Sequence, residues 1–175
     1  MGKNIIITEQ QMDKLAQIIL NQIFGRLYGS NVDTPTTNLE NITDKDFYSK
    51  ILKQLNAPVT DENLKFLVAW RQSEGKAGKY NPFNTTQKMP GATNFNTVGV
   101  KNYQTLQDGI DATVKTLTNG RYGCIVNGLK NDIGAKNIST NCINDLRTWG
   151  TGDLIAKVIT GYEKGATPKP SSITA

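Results

Sequence analysis

Histidine is absent from the 175 residues of this chain. That absence removes every mechanism built on an imidazole base or an imidazole metal ligand, from Ser-His-Asp hydrolysis to histidine-bearing zinc amidases. Cysteine is nearly as scarce. With Cys124 and Cys142 alone, an all-thiolate zinc site cannot be assembled; no cofactor is expected. No apolar run approaches the ~20 residues needed to cross a bilayer, so no membrane span is expected. The opening MGKNIIITEQQ turns polar after Ile5–Ile7, and no signal peptide is expected either. Any chemistry must use carboxylates, lysines, hydroxyls or amides.

Acidic residues are also missing from one long stretch. Between Gly75 and Gln107 there is no Asp or Glu, and over residues 71–101 five basic side chains (Arg71, Lys76, Lys79, Lys88, Lys101) face a single acid, Glu74. Residues 1–44 carry three basic and five acidic residues, so the net charge of +5 gathers around Glu74. Such a patch attracts an anionic polymer. Nucleic acid is disfavoured as that polymer, because basic and aromatic residues do not interleave as a strand-binding groove requires.

What is present organises into three parts. Residues 1–44 read as an amphipathic helix and a polar linker: Thr8 and Gln11 form a capping box, and Met12, Leu15, Ala16, Ile19, Ile23 and Leu27 make one stripe. Residues 45–165 read as a compact, mainly α domain with a small loop-and-hairpin lobe, and 166–175 as a disordered Pro/Ser/Thr-rich tail. In the domain, Phe47, Ile51, Leu52 and Leu55 mark a helix that stops before Pro58. Thr60 caps the next, from Asp61 to about Glu74, with Val59 and Leu64 placed as a hydrophobic staple. From Leu64 to Trp70 only Lys65 is polar, so this helix should run through the middle of the domain. A small hairpin is expected at Asn94–Val100 with a partner near Thr85–Lys88. A capped helix should start at Thr105, followed by helices around Cys124–Leu129, Thr140–Thr148 and Asp153–Tyr162. The two cysteines read as free thiols in apolar settings.

Glu74 stands out. At about 100° per residue it lies roughly 20° from Leu67 and 40° from Trp70 around the helix axis, so a carboxyl sits on the apolar stripe at the helix C-terminus. Desolvation and the negative helix end both oppose its ionisation. The expected result is an upward pKa shift, which suits a general acid near neutral pH. The competing reading is an ordinary Glu paired with Arg71 or Lys76. Downstream, Asn81-Pro-Phe83-Asn84-Thr85-Thr86 offers amides, hydroxyls and an aromatic that suit sugar hydroxyls and acetamido groups, and that equally suit turn-making.

The segments AWRQSEGKAGKYNPFNTTQ, GATNFNTVGVKNYQTLQDGIDATVKTL and LRTWGTGD resemble the lysozyme-like domains of phage and bacterial peptidoglycan-cleaving proteins, a superfamily that includes goose-type lysozymes and soluble lytic transglycosylases. The resemblance covers about residues 46–162. It implies an α+β lysozyme-like fold, Glu74 as catalytic acid, and a glycan cleft lined by Asn84, Thr85, Thr86 and Tyr103, to which the polar segment adds Asn81 and Phe83 as candidate substrate-binding residues. It further implies peptidoglycan as the partner and a setting in a phage tail or a lysis system. The N-terminal helix lies outside the resemblance and reads either as an appendage for oligomerisation or for docking to a partner such as a tail or baseplate protein, or as a helix packed on the main domain. One departure is Gly75, where many members carry Ser. A structural or glycan-binding tail component without turnover is the alternative. No acid in the hairpin region can serve as a second carboxylate, and Asp108 and Asp111 fall within a helix further on, Asp108 as its cap. A single-acid transglycosylation is favoured, with hydrolysis close behind.

Overall fold

The computed structural model describes residues 44–166. The helix expected from Thr8, its linker and the tail from residue 167 lie outside the described residues. Within them are seven helices and one two-stranded sheet: α1 (Asp44–Gln54), α2 (Asp61–Ser73), β1 (Thr93–Asn94), β2 (Lys101–Asn102), α3 (Leu106–Leu117), α4 (Gly123–Lys130), α5 (Ala135–Asn141), α6 (Ile143–Trp149) and α7 (Leu154–Glu163). The domain is mainly α.

The cap signals of the sequence correspond to real hydrogen bonds. The Thr60 hydroxyl accepts from Asn63 N at the start of α2, and Thr105 and Asp108 close a reciprocal capping box at the start of α3. Val59 is 41% exposed, so the expected staple with Leu64 buries little surface. α2 buries Asn63, Phe66, Leu67, Ala69 and Trp70 and packs against α7, α5 and α1, as a helix apolar on most sides must. The polar Asn63 is tolerated there because its amide donates to Pro58 O and Leu129 O, each at 2.9 Å. Around α2 the core gathers Phe47, Ile51, Leu52, Ile110, Ile125, Leu129, Ile138, Leu146 and Ile155.

Three expectations change. The hairpin closes on itself, Thr93 opposite Asn102 and Asn94 opposite Lys101. Its turn is held by Phe95 N donating to Val100 O at 2.7 Å and Val100 N donating to Asn96 Oδ1 at 3.1 Å. Thr85, expected to belong to the partner strand, accepts one bond from Lys101 N at 3.2 Å. Second, the helix expected at Thr140–Thr148 is two helices that meet at Cys142. The extra one, α5, is started from a distance: Glu62 Oε2 on α2 accepts from Ala135 N at 2.9 Å. Third, the cysteines are not free thiols. Cys124 and Cys142 form a disulfide with their Cα atoms 5.3 Å apart, tying α4 to the α5–α6 joint, and Cys124 is exposed while Cys142 is buried.

α3 meets the loop after α2 at Gly109. A Cβ built there would lie 1.9 Å from Tyr80 O, so the helix can touch the loop only where it has no side chain.

Candidate active site

α2 ends in a way that aims one carboxyl inward. Glu74 is its C-cap, still in right-handed helical conformation (φ −78°, ψ −19°), and Gly75 turns the chain through φ +68°. That angle favours glycine, and a Cβ added there would meet nothing within 4 Å. Gly75 is kept for its backbone, not for lack of room.

The Glu74 carboxyl lies against aromatic rings. Trp70, one turn back, donates from Nε1 to Oε1 at 3.0 Å. Its indole packs on Phe83 and on Trp149, with ring centroids 5.1 Å and 4.8 Å away. Trp149 in turn packs on Tyr122 at 5.0 Å and donates from Nε1 to Phe83 O at 3.0 Å. On the other side, Asn84 Nδ2 donates to Oε2 at 3.2 Å. Burial among these groups raises the Glu74 pKa to about 7. The N–H groups of Trp70, Asn84 and Trp149, followed by the Arg71 charge, hold it back from rising further.

Neither competing partner locks the carboxylate. Arg71 turns away and donates from Nη1 to Gly75 O at 2.8 Å. Among the described residues the ion pairs are Lys65–Glu62, Lys136–Glu163 and Lys157–Asp153, and none involves Glu74.

The other residues expected at the site divide into two groups. Asn84 reaches Glu74, and Thr86 is exposed. Asn81, Phe83, Thr85 and Tyr103 are buried and engaged within the protein itself. Asn81 donates to Thr85 O and Lys101 O and accepts from Thr85 N; Phe83 is core, wedged between Trp70 and Tyr48. The Thr85 hydroxyl pairs with that of Thr116. Tyr103 donates to Gln87 O at 2.8 Å, and burial pushes its phenol well above the usual range. These four shape the loop that carries Asn84.

Candidate second acids are spoken for. Asp108 accepts from Thr105 N and its hydroxyl, and Asp111 accepts from Gln54 and Gln107. Among the described residues no group of three or more Cys, Asp and Glu could hold a metal ion, and no helix is long and apolar enough to cross a membrane.

Trp149 is the residue that sequence reasoning missed. It sits in the motif LRTWGTGD, but only the fold brings it 4.8 Å from the ring of Trp70. An isolated Trp beside a helix-ending glycine was the available signal, and it says nothing of a carboxyl 75 positions earlier. No protein-family model matches the chain, and no curated protein or solved structure matches it significantly.

Proposed function

We propose that the protein cleaves the glycan strands of bacterial peptidoglycan at the β-1,4 bond between N-acetylmuramic acid and N-acetylglucosamine, with Glu74 as the single acid and base. The observation that carries this reading is a carboxyl at the C-terminal end of α2 set against the Trp70 indole and the Asn84 amide, where burial raises its pKa, followed by a long stretch without any other acid. A finer reading of the mainly α domain as lysozyme-like, and a setting in a phage virion or lysis system, come from the sequence resemblance.

In the proposed reaction the protonated Glu74 gives its proton to the glycosidic oxygen as the bond from C1 to that oxygen breaks. The resulting carboxylate then takes the proton of the muramic 6-hydroxyl, whose oxygen closes on C1 to leave a 1,6-anhydro end. Proton and charge return to their starting place, and water is not consumed. A retaining hydrolase would need a second carboxylate ~5–5.5 Å from the acid, and an inverting one ~6.5–9.5 Å away. Asp108 and Asp111, the acids weighed for that role, are held by Thr105 and by Gln54 and Gln107 respectively, which favours transglycosylation over hydrolysis.

The test is incubation of the full chain with purified sacculi and mass spectrometry of the released muropeptides. Anhydro ends are expected, and Glu74→Gln should lower their release by about 10²–10⁴-fold. Reducing ends would make the enzyme a hydrolase. Release no greater than that of Glu74→Gln would refute turnover and leave a structural or glycan-binding component.

A further inference from the structure

The amide of Asn84 is held in a way that loop-building does not require. Its Nδ2 lies 3.0 Å from Lys76 O, 3.2 Å from Glu74 Oε2 and 3.3 Å from Glu74 O. Left-handed Gly75 stands between the two residues whose carbonyls converge on that nitrogen. Three acceptors around one end fix the orientation of the amide, because a flip would press Oδ1 against three oxygens. Oδ1 points the other way and, among the described residues, is buried without a hydrogen-bond partner. Asn84 also sits at φ +54°, a conformation that asparagine tolerates better than most residues.

Three acceptors therefore compete for two hydrogens, with Lys76 O at the shortest distance. The share going to Oε2 grows as negative charge appears on it, since a charged acceptor makes the stronger bond. We infer that Asn84 is a positioning residue for Glu74: its amide, steadied by two backbone carbonyls, holds an N–H at Oε2 and stabilises the carboxylate formed when the proton leaves. This rests on the reading of Glu74 as the acid. The interaction is stronger after proton transfer than before it, the condition under which a contact lowers a barrier. Few other charges act on Glu74. Arg71 on α2 is felt there, and Lys76 follows two residues on. The residues touching it from the loop and from α6, namely Asn84 and Trp149, do not ionise.

The experiment uses the full chain labelled with ¹³C at the Glu side-chain carboxyl, the Glu74 signal being assigned by its loss in Glu74→Gln. Asn84→Gly suits the backbone angle and removes the donor. It should raise the Glu74 midpoint by about one pH unit, a tenfold change in proton affinity. Asn84→Asp keeps the shape and substitutes a like charge, so a larger rise is expected. The alkaline limb of sacculus cleavage should move by the same amounts. An unchanged or lowered midpoint in Asn84→Gly that keeps native circular dichroism, whatever its melting temperature, would overturn the inference, because a purely structural asparagine affects stability and not the titration. Should Asn84→Gly not fold, Asn84→Ala, which removes the donor without adding a charge, decides on the same criterion. A shifted midpoint in a protein that cleaves no sacculi would refute the proposed reaction and leave the positioning role standing.

Discussion

Glu62 stands in the first turn of α2 and Glu74 caps its last, and the two carboxyls are driven in opposite directions. Glu62 bonds Lys65 and accepts Ala135 N, and these contacts together hold its pKa below the usual carboxylate value although partial burial opposes them. It also lies at the positive end of the helix. Glu74 lies at the negative end, against Trp70 and Asn84, and burial outweighs the N–H groups that reach it. One carboxylate starts a neighbouring helix and the other keeps a proton near neutral pH. The contrast shows that a helix supplies position, while the surrounding side chains decide whether a carboxyl serves structure or proton transfer.

The largest effect expected from breaking this contrast comes from the ring that supports the Glu74 end. Trp70→Ala removes a buried indole at the centre of the aromatic contacts and should cost about 3–5 kcal/mol in urea unfolding. Reducing the disulfide, which closes a separation of 18 residues, should cost about 3 kcal/mol. Because Cys142 joins α5, which Glu62 starts, to α6, which carries Trp149, this loss should loosen both ends, and hydrogen exchange across α5 and α6 would reveal it.

The pH dependence of stability separates the two ends. Glu74 titrates near 7 when folded against an ordinary value of 4.5. Its contribution is therefore complete below about pH 4.5 and lost as pH rises through 7, up to about 3 kcal/mol. Glu74→Gln should remove that decline and melt higher than the parent at pH 8. A parent and variant that decline together would show that Glu74 is not the group responsible. Thr60→Ala should cost about 1 kcal/mol by uncapping α2 and releasing the 2.7 Å bond to Asp132. Glu62→Gln comes last. With a side chain 44% exposed, it should cost about 0.5 kcal/mol or less, and the stability it removes is present above pH 4.5 and fades as pH falls.

Sequence reasoning reached what depends on neighbours along the chain. The caps of α2 and α3, the buried stripe ending at Glu74 and the capping role of Asp108 all follow from residues within four positions of each other. What it missed depends on distant contacts. α5 is started by Glu62, 73 positions away, the cysteines pair across a fold of three helices, and Trp149 reaches Phe83 O over 66 positions. The polar loop residues left two uses open for another reason. Asn81 and Thr85 have the donors and acceptors to bind a sugar, but the loop's own carbonyls and amides come first, and nothing in their identity tells the two uses apart.

Gly109 fixes how this part of the protein can vary. With α3 resting directly on the Tyr80 carbonyl, even a methyl group would lever the loop outward and carry the Asn84 amide with it. A library randomised at that codon and selected for the native fold should return glycine alone, whereas position 75, with open space around it, should accept asparagine as well.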